Sequence, residues 1–77
     1  MLFKPNTVVG VPTQLTHDFE AGTTYLDVLA KEQTYRFRAT GALAVSLLRQ
    51  VTRDTKGIIV EYDPMSPNDM IAFTISP

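Results

Sequence analysis

A chain of 77 residues without cysteine is held to one small core, because a domain of this size buries only about 60% of its unfolded surface. That excludes a disulfide framework, a thiolate zinc site and a deep enclosed active site. An apolar fraction of 44% and a charged fraction of 19% exclude a disordered chain, and no apolar run approaches the roughly 20 residues of a membrane span. The net charge of −1 disfavours a general affinity for nucleic acid. It conceals a basic middle, with Lys31, Arg36, Arg38, Arg49 and Arg53 against Glu32, between acidic ends. Such a middle is either a solvated salt-bridge surface or a seat for an acidic partner. "MLFKPNTVVG" has Lys4 but no long apolar stretch before Pro5, so it does not read as a signal peptide. The expectation is a single cytoplasmic domain over 1–77, with no membrane partner.

In chain order, "TVVGV" lies between Asn6 and Pro12 and predicts a short edge strand that Pro12 closes. "TQLTHDFE" alternates Leu15, His17 and Phe19 with polar residues up to Ala21-Gly22, which predicts a hairpin. "TTYLDVLA" places Leu26 and Val28 on one face and Tyr25, Asp27 and Leu29 on the other, and "KEQ" makes the next turn. "TYRFRA" alternates strictly, with Tyr35, Phe37 and Ala39 buried and Arg36 and Arg38 outward. Thr40 is a suitable N-cap, with Gly41 allowing close approach, and Leu43, Ala44, Leu47, Leu48 and Val51 form the apolar stripe of an amphipathic helix.

The last third carries conflicting signals. "GIIVEYD" and "MIAFTIS" have strand composition and could form a hairpin around "PMSPND". Yet Ser66, Pro67 and Asp69 spell a helix start, and Asp54 could cap a short helix through Ile58, Ile59 and Tyr62. Local physics leaves the two close to even.

Catalytic chemistry has little support. His17 is the only histidine, and no nucleophile is spaced to pair with it. The acids show no metal-loop pattern, and Gly10, Gly22, Gly41 and Gly57 are isolated. A binding protein without enzymatic activity, cofactor or metal is expected. Arg36 and Arg38 either solvate the outer face of a small sheet and discourage edge pairing, or flank a strand that accepts an extended acidic peptide by β-addition. Arg49 and Arg53, four apart on the helix, would suit DNA phosphates in a winged-helix module, but no base-reading helix accompanies them.

The order hairpin, third strand, Thr-Gly and "ALAVSLL", with "YLDV" before it and "VEYDPMSPNDMIAFTI" after it, resembles the PqqD-like proteins and the recognition elements of RiPP pathways, which make ribosomally synthesised, modified peptides. The similarity covers about residues 24–76 and consists of residue classes, such as Tyr35-Arg36-Phe37 leading into Thr40-Gly41. It implies an α+β fold, a three-stranded antiparallel sheet followed by three helices in a winged-helix-like arrangement. The alternative is β-β-β-α-β-β with a C-terminal hairpin. The resemblance further implies a chaperone that binds the leader of a precursor peptide, as in lasso-peptide or quinone-cofactor biosynthesis. It would present that leader to a leader peptidase, a cyclase or a radical enzyme. The implied groove lies between the strand Thr34–Ala39 and a helix Asp69–Ile75. Its peptide-binding residues would be Thr34, Tyr35, Arg36, Phe37, Arg38, Asp69, Met70, Phe73 and Thr74. Two other classes stay open: a small protein-interaction module or inhibitor, and a winged-helix nucleic-acid binder.

Overall fold

A computed structural model describes residues 6–76; Lys4 and Pro5, invoked above, lie outside this range. The elements are β1 (Asn6–Asp18), β2 (Thr23–Ala30), β3 (Gln33–Thr40), α1 (Gly41–Gln50), β4 (Gly57–Asp63) and β5 (Ser66–Ser76). The strands close into a barrel in the order β1-β2-β3-β5-β4, with β4 returning to β1. Every neighbouring pair is antiparallel except β3 and β5, which run parallel.

One long bent strand makes this closure possible. The first half of β1 pairs with β4, Asn6 opposite Tyr62 through Gly10 opposite Ile58. Its second half pairs with β2, Val11 opposite Leu29 through Asp18 opposite Thr23. Gly10 sits where the strand changes partner. A Cβ there would collide with the Leu29 carbonyl oxygen and come within 2.8 Å of Val28 Cγ1, so only glycine permits the two backbones to approach. A bulge between Pro12 and Gln14 then re-aims the strand, and a bulge tolerates the N–H that proline lacks. The sequence expectation of two strands separated at Pro12 is therefore corrected to one strand of 13 residues.

The two hairpins are made by local chemistry. After β1, Asp18 Oδ1 accepts bonds from the backbone N–H of Glu20 and of Ala21, and Gly22, at φ +67°, donates its N–H to the Asp18 carbonyl. Between β2 and β3 the turn is only Lys31-Glu32, both with positive φ, the two-residue connection whose twist matches that of the strands.

Inward residues of four strands meet in one core, Leu26 and Val28 of β2, Phe37 and Ala39 of β3, Ile58 and Val60 of β4, and Met70 of β5, and the half-buried Val8 and Leu15 of β1 pack against it. Ala44 and Leu47 of α1 join them, so the helix packs against β2, β3 and β5. Thr40 does occupy the N-cap position, but its side chain makes no capping bond. Gly41 is needed for its φ of +60°, not for close approach, since nothing lies within 4 Å of a Cβ built on it.

The three-helix, winged-helix-like arrangement is overturned. Among the described residues α1 is the one helix. Ile58, Ile59 and Tyr62 lie in β4, and Asp69–Ile75 lies in β5, paired antiparallel to β4 from Gly57 opposite Ser76 to Asp63 opposite Ser66. The Ser66-Pro67 start signal loses because a helix would bring Met70 and Phe73 to one face but turn Ile75 away from it and leave β4 without its ladder, whereas the strand places all three against the core. The element order is β-β-β-α-β-β with a C-terminal hairpin, and the hairpin closes a barrel. The Greek-key strand order, with β1 shared by two sheets and β3 parallel to β5, is that of the OB-fold.

Two substitutions test this packing by chemical denaturation. Phe37→Ala removes the largest fully buried side chain and should cost about 3–5 kcal/mol. Gly10→Ala should cost about 1–3 kcal/mol through forced separation of β1 from β2, whereas Gly10 in an ordinary surface strand would gain from alanine.

Candidate functional site

The seam between β3 and β5 is where the barrel is least complete. A two-residue turn makes Ala30 opposite Gln33 a hydrogen-bonded pair, and alternation then assigns Tyr35, Phe37 and Ala39 to bonds with β2. The backbone N–H and C=O of Thr34, Arg36 and Arg38 consequently face β5. The ladder with β5 has a single position, Arg38 opposite Asp69. Thr34 and Arg36 are thus left without a ladder partner on that side, among the described residues.

Two concavities that share Arg36 and Asn68 in their walls follow this open edge. A slot of about 230 Å³ is lined by Tyr35, Phe37, Tyr62 and Pro67, with Thr34, Arg36 and Asn68 at its walls. A shallower cleft of about 260 Å³ lies on the outer face between Tyr25, Arg36, Arg38, Ser66 and Asn68. The slot has an aromatic floor: the rings of Tyr35 and Phe37 stack 6.3 Å apart, and Phe37 and Tyr62 are tilted 5.7 Å apart. A larger concavity of about 400 Å³ lies between the β1 bulge and the segment after α1, but Arg53 is the one charged residue lining it. Its polar lining is Thr13, Gln14, Thr52 and Arg53, and no aromatic ring floors it.

The outer face of β3 is electrostatically self-contained. Arg36 Nε lies 2.8 Å from Asp27 Oδ1 across the β2–β3 ladder, with its guanidinium 5.9 Å from the Tyr25 ring centroid. Arg38 Nε lies 2.8 Å from Asp69 Oδ1, while Asp69 Oδ2 accepts a 2.6 Å bond from the Ser66 hydroxyl. The bond to Asp27, and then its charge, raise the Arg36 pKa above its ordinary value. The Ser66 hydroxyl, and next the Arg38 guanidinium, hold the Asp69 carboxyl below its own. Each arginine is therefore already matched by an acid. Asp18 and Glu20 in the β1–β2 turn and Asp63 before the β4–β5 turn add further negative charge at the loops.

The structure brings most of the expected site residues together. Thr34, Arg36 and Arg38 face outward on β3, Tyr35 and Phe37 form the slot floor, and Asp69 and Met70 line a further cleft beside Arg38. Phe73 and Thr74 are not part of it. Phe73 packs against the core, and Thr74 is an exposed β5 residue opposite Ile59. Tyr62, Pro67, Asn68 and Asp27 were missed, and Asp69 was expected at the site but not as the ion-pair partner of Arg38. Asp27 was legible in principle, because reading "KE" as a two-residue turn sets it directly opposite Arg36.

His17 Nδ1 lies 2.8 Å from Thr24 Oγ1, but Thr24 is fully buried and no substrate could reach that hydroxyl. No group of His, Cys, Asp or Glu among the described residues could hold a metal ion.

A depressed Asp69 pKa stabilises the fold above the ordinary carboxylate pKa of about 3.9, and that stability is lost as pH falls through the lower folded value. In thermal melts, Asp69→Asn should therefore be less stable than the parent chain at pH 7. The gap should hold down to about pH 5 and close as the pH falls below 4. A gap that is the same at pH 7 and pH 2.5 would show that Asp69 does not act through its charge.

No protein-family model matches the chain, and comparisons with curated proteins and with solved structures return no match.

Proposed function

We propose that this protein is a non-enzymatic binding module that captures an extended, acidic peptide segment by adding it as a strand to the open edge of β3. The observation that carries this reading is the β3 edge over Thr34–Phe37 that faces away from β2, which has no ladder partner among the described residues and borders a slot floored by aromatic rings. Main-chain bonds to Thr34 and Arg36 supply affinity, and side chains at alternate positions supply selectivity. A segment lying there turns one set of side chains toward Tyr35, Tyr62 and Pro67 and the other toward Arg36 and Arg38. Apolar or aromatic residues suit the first set. Acidic residues suit the second, by sharing or replacing Asp27 and Asp69 as partners of the arginines.

Strand addition on β3 is the part of the leader-peptide expectation that a barrel accommodates; the helical wall of that groove is not. The leader of a ribosomally made precursor is one natural source of such a segment, and a separate processing enzyme would then be the second partner. A small interaction module that binds part of another folded protein uses the same edge.

The OB-type architecture suggests a competing ligand, since such barrels bind oligonucleotides on the face of strands 2 and 3, where Tyr25, Arg36 and Arg38 stand. Fold alone does not assign function. A single-strand site needs cationic excess along its groove, and here both arginines are neutralised within the chain.

Titration of ¹⁵N-labelled protein with a capped decapeptide alternating Glu and Phe should give saturable shifts over Thr34–Arg38, and Arg36→Glu should weaken binding about tenfold while leaving the spectrum folded. Absence of any shift at roughly millimolar peptide, or tighter salt-dependent binding of a dT12 oligonucleotide, would overturn the reading.

A further inference from the structure

The outer face of β4, β1 and β2 carries an apolar stripe that the peptide-binding reading does not use. Val9 lies directly opposite Ile59, and Val11 directly opposite Leu29. All four point away from the core, whose inward residues are the alternates Val8, Ile58, Val60 and Val28. Val9 is 63% exposed, and Val11 and Leu29 are each 44% exposed. Isolated apolar residues are ordinary on a protein surface, but four made contiguous by strand register mark an interaction surface.

Charges on either side of the stripe identify its occupant. Glu61 faces outward from β4 opposite Thr7. Lys31 follows the end of β2, two residues beyond Leu29, and extending the register places it level with Val9 on the other flank of β1. Lys31 also borders a cleft with Thr7, Val9 and Tyr35. Neither Lys31 nor Glu61 has an ion-pair partner among the described residues. A two-fold axis running along β1 exchanges the two flanks. It packs Val9 and Val11 on their counterparts and sets Lys31 of one copy across from Ile59 of the other, two residues (about 7 Å along the strand) from Glu61 and within reach of it through the long lysine side chain, twice.

From this self-complementarity we propose that the occupant is a second copy of the chain, and that the protein forms an isologous dimer through the outer face of β4, β1 and β2. Two sheets stacked face to face, with interdigitating β-branched side chains, are an established way to bury such a face. The stripe is small, so the dimer is weak and reversible, with a Kd on the order of tens of micromolar.

Sedimentation velocity from about 10 to 500 µM should show a concentration-dependent shift from monomer to dimer. Val9→Lys, whose side chain points outward, should keep the circular dichroism of the parent and stay monomeric throughout. Lys31→Glu and Glu61→Lys should each weaken self-association about tenfold, and an equimolar mixture of the two should recover a dimer within about threefold of the parent affinity. A parent chain that is monomeric at every concentration overturns the proposal. So does a dimer that survives Val9→Lys, or two charge variants whose mixture associates no better than each alone.

Discussion

The architecture depends on how little of β3 is needed to close the barrel. β2, β1 and β4 are joined by long antiparallel ladders, and β4 and β5 by another. The circle is completed by a single rung between Arg38 and Asp69. That rung is reinforced by the ion pair of the same two residues and by Ser66. Because β5 runs parallel to β3 and meets it only beyond its midpoint, the first half of β3 emerges as a free edge. A fully paired barrel abolishes edges; here parts of β1, β3 and β5 have a ladder partner on one side only, and the stretch on β3 lies beside the core aromatics.

The same geometry leaves the exposed arginines little unmatched charge to offer a phosphate backbone. Strand register sets Asp27 across from Arg36, and seam closure sets Asp69 across from Arg38, so the basic middle of the sequence is neutralised by the elements it pairs with. What remains is a pair of oriented guanidinium groups beside unpaired backbone. That arrangement favours a ligand which brings its own main-chain donors and acceptors, and a strand does so.

Much of this was legible where one element decides its own form. The alternation Tyr35, Phe37, Ala39 and the stripe Leu43, Ala44, Leu47, Leu48, Val51 announced β3 and α1, and the outward placement of Arg36 and Arg38 followed from period alone, but Tyr35 at the slot and Leu48 on the helix are exposed, not buried as expected. The sequence reading failed where distant contacts overrule local signals. Pro12 reads as a strand end because a regular ladder cannot use it, but a bulge can. Ser66-Pro67 with Asp69 reads as a helix start because the β4 ladder and the core beneath Met70 are invisible locally. Asp69 spends its carboxylate on Arg38, not on a helix N-terminus. Tyr62, Pro67 and Asn68 reach the slot only through barrel closure, which no local pattern encodes.

The central claim is that Thr34 and Arg36 present free backbone groups while their neighbours Tyr35 and Phe37 are locked to β2. Native-state amide hydrogen exchange measures this residue by residue. The amides of Thr34 and Arg36 should exchange at least about a hundredfold faster than those of Tyr35 and Phe37, a contrast that alternates along one strand and that local unfolding cannot produce. Equal protection of all four amides would mean that the β3 edge is paired, and would contradict both the open seam and the site built on it.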